Sequence, residues 1–92
     1  MQLDELKWDE ENEEHIAKHG VTPEEAEEVL FFDPVLRRTR HGRYLAFNQT
    51  LAGRYLLVVF QYLGDMVGRP ITARDLDRRE QRAYGKWRKG NK

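Results

Sequence analysis

No cysteine occurs in the 92 residues, which excludes a disulfide framework, a thiolate metal site and a cysteine nucleophile, and suits a reducing compartment. Long apolar runs are missing as well: the longest, Tyr55 to Phe60, is far too short to cross a bilayer. The opening Met-Gln-Leu-Asp-Glu-Leu has neither a basic n-region nor an apolar h-region, so a cytoplasmic protein with no membrane association is the expectation. Repeats, low-complexity tracts and linkers are absent, and one domain over 1–92 is expected. Phosphate loop, dinucleotide fingerprint, serine elbow and paired-carboxylate signature are all lacking, so no cofactor is expected. Any chemistry is left to side chains alone.

What the chain has in abundance is charge, and the charge is divided. Sixteen basic and sixteen acidic residues cancel overall, yet Met1 to Asp33 carries twelve acids against two lysines and Pro34 to Lys92 carries fourteen basic residues against four acids. Asymmetry of this kind points either to a polyanion-facing surface or to pairing between an acidic and a basic layer.

Asp9 is an N-cap for a helix running to about His19, with acids in its first turn and Gly20 as its stop. Thr22-Pro23-Glu24-Glu25 is a second start signal, with Thr22 as N-cap, Pro23 at N1 and Glu25 at the capping-box position. That helix ends by Asp33-Pro34. The period then changes. Val35 to Arg40, Arg43 to Asn48, Tyr55 to Tyr62 and Arg69 to Ala73 read as strands, joined by turns at His41-Gly42, Gln49 to Gly53 and Gly64 to Gly68. Tyr55 to Phe60 is apolar at both parities and reads as a central strand covered on both faces. Short connections favour antiparallel pairing. A final helix is capped by Asp75 or Asp77 and runs to about Lys89, leaving a frayed polar tail, Lys89 to Lys92. The order predicts an α+β fold: two N-terminal helices, a three- to four-stranded antiparallel sheet and a basic C-terminal helix.

The last helix has two unlike faces. Leu76, Glu80, Ala83, Tyr84 and Trp87 fall on one side at helical spacing, and Arg78, Arg82, Lys86 and Lys89 on the other. A carboxylate on an otherwise apolar stripe needs a partner, which predicts an ion pair between Glu80 and Arg74.

His15 and His19 stand four apart, a spacing that puts two imidazoles on one helix face, but Ile16 occupies the place of a metalloprotease glutamate and no third ligand is near, so no metal site is expected. His19 follows Lys18 at a helix C-terminus, where the dipole favours an imidazolium able to act as a general acid or simply to cap. Arginine predominates among the basic residues: Arg37, Arg38, Arg40 and Arg43 on the first hairpin, Arg69 and Arg74 on the fourth strand, Arg78, Arg79 and Arg82 on the last helix. Guanidinium forks bind phosphates bidentately and stack on bases, which suits RNA. Of Tyr44, Tyr55, Tyr62, Tyr84 and Trp87, two at most are expected to face a ligand and the rest to pack in the core.

Three blocks then coincide: Lys7-Trp8-Asp9-Glu10-Glu11-Asn12, Ala17-Lys18-His19-Gly20-Val21, and Ile71-Thr72-Ala73-Arg74 leading into Arg78-Arg79-Glu80-Gln81-Arg82-Ala83-Tyr84. Together they resemble the BrnT family, itself similar to the RelE-like ribonucleases of type II toxin–antitoxin pairs. The resemblance implies a toxin that cleaves RNA and arrests growth. It also implies neutralisation by a cognate small DNA-binding antitoxin, the complex assembling on promoter DNA. Carried over residue by residue, it implies a catalytic set of Lys18, His19, Arg74, Arg78, Arg79, Glu80 and Tyr84. In that scheme Arg74 with Arg78 or Arg79 stabilises charge on phosphorus, His19, Lys18 or Tyr84 moves protons, and Glu80 orients Arg74. Arg37, Arg38, Arg40, Arg43, Arg69, Arg82 and Lys86 are the expected RNA contacts. The competing expectation is a non-catalytic RNA- or DNA-binding module, or a degenerate toxin that acts only through antitoxin binding.

Overall fold

The computed structural model describes residues 1–90. In chain order it contains β1 (Glu5–Leu6), α1 (Glu10–Ala17), α2 (Pro23–Phe31), β2 (Val35–Arg38), β3 (Arg43–Gln49), β4 (Tyr55–Gly64), β5 (Val67–Asp75) and α3 (Arg78–Gly90). The five strands form one sheet in the order β1-β5-β4-β3-β2. Four are antiparallel neighbours, as expected, while β1 adds a parallel edge of two residues against Val67 and Gly68. So short a strand carries no alternation for a sequence reading to detect.

Capping fixes the first two helices. Asp9 accepts from the Asn12 N–H and the Asn12 side chain accepts from the Asp9 N–H, while Thr22 and Glu25 make the same reciprocal pair for α2. Helix α1 stops at Ala17, two residues before the expected end, so His15 lies in its last turn and His19 beyond it. In α3 the cap is Asp77: its carboxylate accepts from the Glu80 N–H at 2.8 Å and Glu80 accepts from the Asp77 N–H at 3.0 Å. Lys89 and Gly90, placed by sequence in a frayed tail, continue this helix, and the rest of that tail, Asn91 and Lys92, lies outside the described residues. The expected loop Gly64 to Gly68 is a tight turn instead, because Asp65 and Met66 both adopt positive φ, 52° and 63°, and let β4 and β5 extend to meet it.

Cross-strand partners share a face, so the register divides the sheet. One face presents Ala46, Leu56, Val58, Phe60 and Ala73, and packs on Ile16, Val21, Ala26, Val29 and Leu30 from the two acidic helices and the turn between them. On the opposite face Val35, Phe47 and Leu57 pack on Leu76, Tyr84 and Trp87. Beta-strand β4 therefore has apolar side chains at both parities because it is covered on both sides. Helix α3 covers only part of that second face. Beyond it, two cross-strand rows continue, Arg37–Leu45–Val59–Thr72 and Arg43–Gln61–Arg69. Arg37 and Arg43 are exposed, and the other members of both rows are half-buried.

Candidate functional site

Arg74 belongs to this second face, in register with Leu57, and its guanidinium meets Glu80 in a two-pronged contact, Nη1 to Oε1 and Nη2 to Oε2, both 2.8 Å. The ion pair expected from the apolar stripe is thus formed. Glu80 also accepts from the Asp77 N–H, so one carboxylate caps α3 and fixes the arginine beside it. Hydrogen bonding from Arg74, ahead of the Asp77 backbone contact, holds the Glu80 carboxyl at about 2, far below the usual carboxylate range, against the opposing effect of burial. Arg74 in turn donates to the carbonyl of Asp75 and keeps 44% of its side chain exposed. It is a charged group held in place but still open to an anion.

Arg78, Arg79, Arg82 and Lys86 are exposed on α3. Tyr84 points inward and is 8% exposed. Its hydroxyl donates to Asn48 Oδ1 at 3.0 Å and accepts from Arg88 Nε at 2.9 Å. Asn48, also buried, completes the cluster by donating to the carbonyls of Val29 and Phe32, and Arg88 donates to the carbonyl of Asp33. These bonds anchor α3 to the sheet and to the end of α2. Sequence reasoning passed over Arg88 and Asn48, since nothing local tells an arginine among five basic neighbours that two of its partners lie 40 and 55 residues away.

Lys18 and His19 lie on the other side of the molecule. Both are exposed, and the Arg54 guanidinium donates to the carbonyls of His19 and Gly20, satisfying the open end of α1. The same guanidinium pairs with Asp75 at 2.8 Å and Glu25 at 3.0 Å. Hydrogen bonding to Arg54, and after it the charges of Arg54 and His19, keep the Asp75 carboxyl below its ordinary range. Successive strand residues point to opposite faces, so Asp75 and its neighbour His19 belong to the helix side and Arg74 to the α3 side. The expected catalytic residues therefore separate into two groups: Arg74, Arg78, Arg79, Glu80 and the buried Tyr84 together, and Lys18 with His19 across the sheet. Arg54, absent from the sequence-based set, is the residue that organises the second group.

The expected nucleic-acid contacts do gather. Arg37, Arg43 and Arg69 stand on the open sheet face, Arg38 and Arg40 at or near the adjoining hairpin, and Arg82 and Lys86 on α3. Arg69 is committed to Asp9 and Glu11, at 2.9 and 3.0 Å. Among the described residues Arg37, Arg38, Arg40, Arg43, Arg82 and Lys86 make no ion pair, although Arg37 stacks 4.3 Å over the Trp87 ring. The five large aromatics named above all pack against one of the two cores, leaving only partial faces for a ligand. Two concavities flank Arg43. A wide one at the hairpin tip is lined by Thr39, Arg40, His41, Arg43 and Gln61, and a smaller one, of about 180 Å³, by Glu11, Asn12, His15, Arg43, Arg69 and Ile71. Among the described residues no three His, Asp or Glu side chains converge as a metal-ligand set.

Residues 8–80 match the family model of BrnT, the ribonuclease toxin of type II toxin–antitoxin systems. The chain belongs to the BrnT family. Membership of a two-component toxin–antitoxin family carries with it an antitoxin partner. Among solved structures, the fold is similar to the 1.1 Å crystal structure of the Brucella abortus ribonuclease toxin BrnT, with a TM-score of 0.66 at 22% identity, over 80% of this chain and 97% of the Brucella chain. At that identity the likeness concerns the fold. No curated protein sequence matches the chain significantly. No helix among the described residues is long and apolar enough to cross a membrane.

Proposed function

We propose that this BrnT-family chain is a metal-independent endoribonuclease that arrests growth, and that RNA lies on the part of the sheet face left open by α3. One observation carries the reading. Arginines from β2, β3, β5 and the β2–β3 hairpin border a half-buried floor of Leu45, Val59 and Thr72, beside the fixed Arg74–Glu80 pair and the basic side of α3. Phosphates supply affinity through such cations, and a flat partly apolar floor suits the sugar and base edges of a single strand.

RNA carries its own nucleophile. The 2′-hydroxyl attacks the adjacent phosphorus, so the protein has only to orient the strand, neutralise phosphate charge and move protons, a reaction that needs no metal. In this scheme Arg74, with Arg78 or Arg79, neutralises phosphates of the bound strand and holds that strand in register for cleavage, and Glu80 positions Arg74. Tyr84, whose hydroxyl is already engaged, positions α3. The sheet between His19 and Arg74 argues against the proton-transfer role expected of Lys18 or His19. The remaining expectations keep their place in the proposal: a cytoplasmic one-domain toxin, a small DNA-binding antitoxin, and a higher-order complex of the two on promoter DNA.

The test is incubation of purified wild type and Arg74→Ala with cellular RNA in the presence of a chelator. Wild type is expected to leave fragments with 5′-hydroxyl ends and folded Arg74→Ala to leave RNA intact. Binding without cleavage by folded wild type would favour a non-catalytic module.

A further inference from the structure

We propose that the small cavity bounded by Glu11, His15, Arg43 and Arg69 is where the phosphodiester bond breaks, with His15 and Glu11 as the proton-transfer pair and the two arginines as the phosphate clamp. The inference rests on the ribonuclease reading above and refines where on that surface the chemistry occurs.

The four side chains come from three elements far apart in sequence and line one space. Glu11 and His15 are four residues apart on α1, hence on the same side of the helix. The rotation of α1 is fixed from within the cavity wall: Asn12, 1% exposed, donates to the carbonyls of Lys7 and Pro70 at 3.0 and 2.9 Å while forming the capping pair with Asp9. Arg43 and Arg69 flank Gln61 in one cross-strand row, so their guanidiniums approach from the same face of the sheet. Between Pro70 and Thr72 the register of β5 shifts, and the extra residue, Ile71, forms an apolar part of the lining. A bulge beside a polar cluster is a common way of re-aiming a side chain.

An imidazole, a carboxylate and two guanidiniums are the inventory that metal-free transphosphorylation needs. The space, about 180 Å³, is open to solvent and admits a phosphodiester of the strand. In the free protein Arg69 is held by Glu11, whose side chain is 74% exposed, and by Asp9. Solvent screens an exposed pair of this kind and leaves it weak, so an RNA phosphate can replace Glu11 on Arg69. Glu11, released, takes the proton of the 2′-hydroxyl as the 2′-oxygen bonds to phosphorus. The P–O5′ bond breaks, and the departing 5′-oxygen takes a proton from the His15 imidazolium. The products are a 2′,3′-cyclic phosphate and a 5′-hydroxyl, with Glu11 left protonated and His15 neutral until solvent restores them. Arg74 lies three residues further along β5 than Ile71, about 10 Å at strand rise, where it holds a neighbouring phosphate of the same strand.

Purified wild type, His15→Asn and Glu11→Gln, each checked for folding by circular dichroism, should be compared for RNA cleavage rate and for binding to a 2′-O-methylated RNA that cannot be cut. Each substitution is expected to lower the rate at least ~100-fold, in the range of general acid–base contributions, with the dissociation constant changed less than about threefold. The pH–rate profile separates catalysis from positioning. The charged groups that share the cavity with His15 are Glu11 from α1, Arg43 from β3 and Arg69 with its partner Asp9, and only removal of His15 itself should abolish the alkaline limb. Variants that cut at rates within about threefold of wild type overturn the inference and leave the ribonuclease reading intact. Wild type that binds RNA without cutting it overturns both.

Discussion

Replacing Glu80 tests the geometry on which the arginine site depends. In Glu80→Gln the amide retains an oxygen for the Asp77 N–H, so the α3 cap survives, while the charge facing Arg74 is lost. The magnitude follows from linkage. The carboxyl is held at about 2 against an ordinary value of 4.5, chiefly by hydrogen bonding from Arg74, and with a tenfold change in proton affinity worth about 1.36 kcal/mol this sets a ceiling of about 3 kcal/mol. Arg74 is 44% exposed, so solvent screening reduces the expected loss to about 1–2 kcal/mol. For a chain of this size that lowers the melting temperature by roughly 5–10 °C. The sign is fixed by the depressed folded-state value: the stabilisation is fully present above the unfolded-state value, declines as pH falls and is gone below about 2. Thermal denaturation of wild type and Glu80→Gln should therefore show a gap at neutral pH that narrows steadily from pH 4.5 downward. Glu80→Ala should be less stable still, by about 0.5–1 kcal/mol, because the Asp77 N–H loses its side-chain acceptor while the Asp77 cap itself remains. A gap of the same size at pH 7 and pH 2.5, or none at neutral pH, would refute the reasoning.

Three further outcomes are expected. Asn48→Ala removes five side-chain hydrogen bonds and leaves the Val29 and Phe32 carbonyls and the Tyr84 hydroxyl short of partners. Urea denaturation should show a loss of about 2–4 kcal/mol. Tyr84→Phe should cost only about 1 kcal/mol and should preserve RNA cleavage per folded molecule, since the hydroxyl is committed to Asn48 and Arg88; a folded, inactive Tyr84→Phe would return the residue to the chemistry. Combined Arg82→Ala and Lys86→Ala should weaken binding to RNAs of any sequence and flatten the salt dependence of the binding constant, each lost phosphate contact lowering the slope by about 0.7 for a single strand.

What the sequence discloses is local. The Thr22-Pro23-Glu24-Glu25 start, the turn at His41-Gly42 and the doubly apolar β4 are each written within a few neighbouring residues, and all three are present in the fold. The Arg74–Glu80 pair was legible for a physical reason as well, because a carboxylate on an apolar helix stripe has few ways to be satisfied and Arg74 stands only six residues upstream. Arg54 is the opposite case. It lies just after a turn, its partners are 21 to 35 residues away, and two of them are backbone carbonyls with no sequence signature. His15 suffered from a different ambiguity: helical spacing paired it with His19, but α1 ends at Ala17, and its companions prove to be Glu11 on the same helix and two arginines brought up by the sheet register. The division of the chain into acidic and basic halves posed two alternatives, and the fold contains both. Arg54 and Arg69 pair with acids from the N-terminal part, while the hairpin and α3 retain unpaired cations among the described residues.

The most direct measurement of the central claim is growth of bacteria induced to express wild type or Arg74→Ala, with cellular RNA followed over the same period and the folding of each purified protein verified. Arrest with RNA fragmentation by wild type, and neither with folded Arg74→Ala, is the predicted result. Arrest accompanied by intact RNA, or equal fragmentation by the two proteins, would contradict it.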